Sequence, residues 1–236
     1  MNTAVLTPIL DALDIIGIAL FALSGAVIAA KERQTFVTMA FFALVTGVGG
    51  GTVRDLLINA PVFWVGDPWM APVCLGSALI VWMTPVRLWE GRAFAYADGA
   101  GLAAFTVIGS AKALAYGVPA VPAMLMGIVT GVVGGIIRDV VAGRPSIIMQ
   151  PELYVTAAAL SAAATVVGME LAGSLGLANA WVWAVAFASG FGLRAAAIRF
   201  EWGLPSYGSG RVAKESDAPS RAIQPPTSSP GSGPPG

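Results

Sequence analysis

The stretch TGVGGGTVRD, Thr46 to Asp55, places four glycines just ahead of an adjacent arginine and aspartate, inside a run that is otherwise apolar. Each glycine in a helix interior costs about 1 kcal/mol relative to alanine. Gly47, Gly49, Gly50 and Gly51 therefore predict a kink or an unwound turn. A charged residue at the centre of a membrane span costs about 2.5–3.5 kcal/mol on insertion scales, and such residues face a partner or a wet cavity. Adjacent residues of a helix point roughly 100° apart, so the spacing predicts that Arg54 and Asp55 each find a partner elsewhere or water. Acidic groups or freed carbonyls on facing helices are the expected partners of the arginine.

The same pattern returns as TGVVGGIIRD at Thr130 to Asp139, offset by 84 residues and identical at seven of ten positions. That offset also aligns Asp14, Gly17, Phe21 and Gly25 with Asp98, Gly101, Phe105 and Gly109, and Pro61 with Pro145. The copy keeps Gly131, Gly134 and Gly135 but has Val133 where the first has Gly49, so its break is expected to be milder. With three spans per unit, an odd number, the second copy enters the membrane from the opposite side. Inverted repeats of this kind are common in transport proteins, with the pathway at the repeat interface. Arg54, Asp55, Arg138 and Asp139, with Thr46 and Thr130, are the candidate polar lining of such a path, and Ser24, Thr38 and Ser77 are lesser candidates.

Competing readings stay open for each feature. Small residues also let membrane helices approach closely, and an Arg-Asp pair can simply lock a bundle. Asp14 and Asp98 either attract cations at opposite mouths or cap the starts of their helices. Lys112 has no basic counterpart, since the offset places Ile28 there. It either snorkels toward an interface, the favoured reading, or supplies a fixed charge for gating.

Composition bounds the class. Of 236 residues, 56% are hydrophobic and 11% charged, against about 25% charged in a soluble domain, which is the composition of a membrane protein. There is no histidine and one cysteine, Cys74, which is expected to serve packing. A disulfide framework and a Cys/His metal site are thereby excluded within one chain. A formal charge of zero, with basic residues scattered in ones and twos, leaves no footprint for nucleic acid. No catalytic constellation is present, so no enzyme is expected.

A span needs about 20 apolar residues. Seven stretches qualify, from Leu13 to Ala30, Phe36 to Ile58, Trp69 to Leu88, Ala97 to Tyr116, Val121 to Ala142, Leu153 to Ala172 and Ala180 to Ile198. The second and fifth, interrupted by glycine and charge, are expected to score lower in a hydropathy window. Met1 to Ala30 carries Asp11 and Asp14 and no Lys or Arg, so it reads as a retained span rather than a secretory signal. Lys31, Arg33, Arg87, Arg92, Arg144, Arg194 and Arg199 all fall on one side of this layout. The positive-inside rule then puts the amino terminus outside and the carboxyl terminus in the cytoplasm. Trp64, Trp69, Trp89, Trp181 and Trp202 fall at span ends as interfacial anchors.

The fold expected is an all-α polytopic membrane protein of seven transmembrane helices. Residues 1–92 form the first three-helix repeat, 93–176 the second and inverted one, 177–202 a seventh helix, and 203–236 a disordered cytoplasmic tail rich in Pro, Ser and Gly. Arg211, Lys214 and Arg221 in that tail either touch anionic lipid or sit in a solvated linker, the favoured reading.

The doubled Gly-Gly-x-x-Arg-Asp motif, in two three-span units followed by a seventh span, resembles the prokaryotic trimeric intracellular cation (TRIC) channel family, whose bacterial members also carry a glycine-transporter label. The resemblance covers about Leu13 to Phe200. It implies a homotrimer in the bacterial inner membrane, one potassium-permeable pore per protomer shaped by the second and fifth helices, and no cofactor beyond the permeant ion and bound lipid. Carried onto this chain, the matching positions are Gly49, Gly50, Gly51, Gly134, Gly135, Arg54, Asp55, Arg138 and Asp139, and Lys112 resembles a basic gating residue of some members. The alternative is a secondary carrier for glycine or another small neutral solute.

Overall fold

The computed structural model describes residues 3–89, 91–149, 152–175 and 178–204. They form seven α-helices: α1 (Thr3–Lys31), α2 (Phe36–Leu57), α3 (Met70–Met83), α4 (Arg92–Ala115), α5 (Ala120–Val141), α6 (Tyr154–Leu175) and α7 (Asn179–Phe200). The tail expected to be disordered lies outside the described residues from Pro205 onward.

Among the described residues, five helical stretches are long and apolar enough to cross a membrane: Asp14–Lys31, Phe36–Leu57, Ala120–Val141, Tyr154–Ser174 and Asn179–Phe200. The expectation that α2 and α5 would score lower is wrong, since α5 is the most apolar of the five. One Arg-Asp pair is diluted by the surrounding Val, Ile, Leu and Phe. The two helices outside the set are α3 and α4. At 14 residues α3 reaches about 21 Å, short of the roughly 30 Å hydrocarbon core. Pro85 stops it, because the residue before a proline is forced toward extended backbone, and Thr84 has φ −105° and ψ 144°. The chain then makes a short 3-10 turn, Val86–Trp89, instead of continuing as helix to Leu88. The 24 residues of α4 suffice in length but carry Arg92, Asp98 and Lys112. Almost every side chain from Asp98 to Ala113 is buried against other helices, so this helix needs no apolar coat toward lipid.

Helices α1, α2 and α3 pack against one another, as do α4, α5 and α6, while α1 meets α4 and α2 meets α5. The seventh helix lies on α4 and α6.

At the centre, small residues bring backbones together. A Cβ built on Gly50 of α2 would lie 2.1 Å from the Thr130 carbonyl oxygen of α5, and one on Gly134 would lie 2.7 Å from the Thr46 carbonyl oxygen of α2. Gly17 faces the Phe105 ring and Gly101 the Phe21 ring in the same reciprocal way. The two rings meet with centroids 5.0 Å apart.

This overturns the expected unwound turn. Both α2 and α5 run as continuous helix through their glycines, because close contact between the helices outweighs the propensity cost of each glycine. Cys74 is fully buried beside Gly47, in the packing role expected of it. Trp69, Trp181 and Trp202 are exposed at helix ends. Trp64 and Trp89 are instead tied back, donating Nε1–H to the Thr52 and Thr84 hydroxyls at 2.9 and 2.8 Å.

Candidate functional site

Four residues beyond Gly50 and Gly134, the last turn of each helix carries its arginine and aspartate. Both arginines sit where the helix dipole favours positive charge, and both pairs are buried. The geometry recurs closely. Arg54 Nε donates to Asp55 Oδ1 at 2.8 Å, and Arg138 Nε donates to Asp139 Oδ1 at 2.9 Å. Asp55 Oδ2 accepts the Phe63 N–H at 2.9 Å, and Asp139 Oδ2 accepts the Ile147 N–H at 3.0 Å. Each aspartate thus pins the loop that follows its helix. The expectation that adjacent Arg and Asp would not pair is corrected: although their Cβ vectors diverge, the long arginine stem curls its Nε back to the carboxylate.

Each pair recruits an acid from the first helix of its own three-helix group. Asp14 of α1 lies 3.9 Å from Arg54 Nη1. Asp98 of α4 forms a closer ion pair with Arg138 Nη1, which also donates to the Ser24 hydroxyl of α1. Ser24 in turn donates to Asp98 Oδ1 at 2.9 Å. Neither acid caps a helix, since both sit well inside theirs. That reading fails because α1 and α4 begin earlier than hydropathy suggested.

Lys112 of α4 places Nζ 2.9 Å from Asp55 Oδ1. The snorkelling reading is therefore overturned, since a buried carboxylate within reach is a better partner than a distant interface. Phe63 lies under both cations, 5.6 Å from Arg54 Cζ and 5.9 Å from Lys112 Nζ, an arrangement favoured by the ring quadrupole. Phe94 lies 5.4 Å from Arg138 Cζ in the second cluster. The first cluster balances two acids with two bases. In the second, Asp98 and Asp139 share Arg138.

Several residues of the second cluster were not singled out by the sequence reading. Tyr154 at the start of α6 is fully buried, with Arg194 Cζ 5.3 Å from its ring. Arg194, counted among the basic residues at the close of the seventh span, is buried within the bundle and forms an ion pair with Glu152. An ionisable residue inside the apolar run FASGFGLRAAAIRF was the available signal. A cavity of about 460 Å³ opens here, lined among others by Asp98, Arg138, Asp139, Arg144, Glu152 and Arg194. Thr46 and Thr130 are buried at the crossing, where the Thr130 hydroxyl donates to its own helix at the Met126 carbonyl. Among the described residues, no group of three or more Cys, Asp or Glu side chains gathers to hold a metal ion.

Residues 11–85 and 95–170 match the family model described as "Glycine transporter", a match that includes Asp14, Arg54, Asp55, Asp98, Arg138 and Asp139. The chain belongs to this family. Among its relatives is the "UPF0126 membrane protein YvgT" of Bacillus subtilis, 34% identical over 200 residues that cover 83% of this chain and 95% of that one. Another is the "UPF0126 inner membrane protein YadS" of Escherichia coli K12, 39% identical over 158 residues, 61% of this chain and 72% of the relative. Among solved structures, the TRIC trimeric intracellular cation channel orthologue from Rhodobacter sphaeroides superposes with a TM-score of 0.74 at 34% identity, covering 82% of this chain and 99% of that one. The family and its structural neighbours are membrane proteins and channels, not enzymes, and the prokaryotic TRIC resemblance holds. Its relatives' inner-membrane label and its five apolar spans make this family member a multi-pass protein of the bacterial inner membrane.

Proposed function

We propose that the chain is a cation channel permeable to potassium, assembled as a homotrimer with one pore per protomer along α2 and α5. The observation that carries this reading is the pair of buried acid-base clusters flanking the α2–α5 crossing, one of which opens into the cavity beside Asp98, Arg138 and Asp139. Buried charge in a membrane bundle is expensive and marks pathways for ions. The cation-channel name of the Rhodobacter sphaeroides neighbour supports the same reading.

On this account all seven helices belong to the membrane domain, with residues 1–92 and 93–176 as inverted repeats and 177–202 as an added helix. The reciprocal contacts of Gly50 with Thr130 and Gly134 with Thr46 support a two-fold relation. Gly49, Gly50 and Gly134 set the approach of α2 and α5, Gly47, Gly51, Gly131 and Gly135 make room for Ile18, Phe63, Leu102 and Tyr154 around them, and Thr46 and Thr130 lie at the narrow waist. Asp14 and Asp98 draw cations toward opposite mouths, and Lys112 gates by holding or releasing Asp55. The amino terminus is outside, the carboxyl terminus in the cytoplasm, and lipid fills the spaces between protomers.

A second reading is a carrier for glycine. It is favoured by the same cavity, where carboxylates and guanidinium groups both line the wall and match the two charges of a zwitterion. Purified protein in proteoliposomes separates them. Unitary currents in potassium chloride with no glycine counterflow support the channel, and saturable glycine exchange without unitary current replaces it.

A further inference from the structure

Resting on the proposed permeation path, we propose that the Glu152–Arg194 ion pair is the bolt of the inner cavity, a gating contact supplied by the helix outside the repeat. Two hollows meet at this pair. One is the cavity of about 460 Å³ beside Asp98, Arg138 and Asp139. The other, about 300 Å³, is lined by Ile198, Glu201, Trp202 and Gly203 at the end of α7. Glu152, Arg194 and Ala95 line both, so the pair is the partition between them.

The partition is held from several directions. Arg194 is buried, whereas the Glu152 side chain is 39% exposed. The Arg194 Nε has no hydrogen-bond partner among the described residues, so Glu152 is the only acid tying this guanidinium there. Gly99 of α4 makes room for the arginine stem, since a Cβ there would lie 2.8 Å from Arg194 Cγ. The backbone of Glu152 pairs with Gly203 in an isolated antiparallel bridge, fastening the acid to the chain that follows α7. A small movement of the end of α7 therefore shifts both members of the pair. With the pair parted, the two hollows join beside Asp98, and the buried guanidinium loses its neutralising partner. Charged groups deprived of a buried partner turn toward water, so Arg194 swings out and the opening persists.

The test measures open probability in planar bilayers for the full chain, Glu152→Gln, Arg194→Gln and the swapped pair Glu152→Arg with Arg194→Glu. Each single variant raises open probability roughly tenfold, between the weak effect of an exposed pair and the strong effect of a buried one. The swapped pair returns it to within about twofold of the parent. A second readout needs no current. Ile28 lines the inner cavity and not the hollow at the end of α7, and it is buried, so in a Cys74→Ala background Ile28→Cys reacts slowly with a cationic thiol reagent and about tenfold faster once Glu152→Gln is added. A conducting parent whose singles match it in open probability and in thiol rate overturns the bolt while leaving the channel standing. A parent without unitary current removes the channel reading, and the thiol rates then decide the bolt alone.

Discussion

Replacing Gly50 with alanine tests whether the glycines of the opening stretch serve contact between helices. The new Cβ would sit 2.1 Å from the Thr130 carbonyl oxygen, whereas ordinary C···O contacts lie at about 3.3–3.6 Å. The crossing must therefore open by roughly 1.2 Å. The obstructing atom is backbone and cannot rotate aside. Overpacking of a tight interior costs about 1–3 kcal/mol, and alanine returns about 1 kcal/mol of helix propensity. Taking the upper end of the first figure, the net loss is about 2 kcal/mol. Gly76 of α3 is the internal control, because a Cβ there meets nothing within 4 Å. Gly76→Ala should gain up to about 1 kcal/mol. Thermal unfolding in detergent, followed by the fluorescence of the folded species on size exclusion, reads both variants. The reasoning is refuted if Gly50→Ala melts at or above the parent, or if Gly76→Ala is the more damaging of the two.

Three further outcomes follow from the charge clusters. Arg54→Ala leaves Asp55 buried with one cation instead of two and should cost about 3–5 kcal/mol, while Arg144→Ala, which removes a half-exposed pair with Glu32, should cost under about 1 kcal/mol in the same melting assay. Lys112→Met should lower stability by more than Lys112→Arg, because only the latter retains the second cation that Asp55 has beside Arg54; equal melting temperatures would restore the snorkelling reading. Asp139→Ala should speed proteolytic cleavage in the segment from Ala142 to Ser146, since the Ile147 N–H loses its acceptor, and unchanged cleavage kinetics would show that the loop is held by other contacts.

Much of the helical layout was legible because apolar runs of sufficient length are spelled out locally. The 84-residue repeat was equally visible, and its equivalent positions touch crosswise at the centre, Gly50 against Thr130 and Gly134 against Thr46. What escaped the sequence depends on tertiary context. Continuity of α2 through three successive glycines is decided by what faces them, Ile137 at Gly49, the Thr130 backbone at Gly50 and Phe63 at Gly51, not by propensity. The burial of α4 inside the bundle hides its polar residues from lipid, so hydropathy misjudges it. Side-chain reach brought together Arg54 with Asp55 and Lys112 with Asp55, and neither contact has a signature in linear spacing. Arg194 illustrates the limit of counting charges by side: a basic residue near a helix end counts as a charge on that side until its own burial and its ion pair with the part-exposed Glu152 are seen.

The central claim is that cations cross the protomer along the two charge clusters, and its most direct test is the reversal potential of unitary currents under a potassium chloride gradient. The account predicts discrete current steps that reverse near the potassium equilibrium potential and a shift of that potential toward zero in Asp98→Asn. Reversal near the chloride potential, or saturable glycine flux with no unitary current at all, would contradict it.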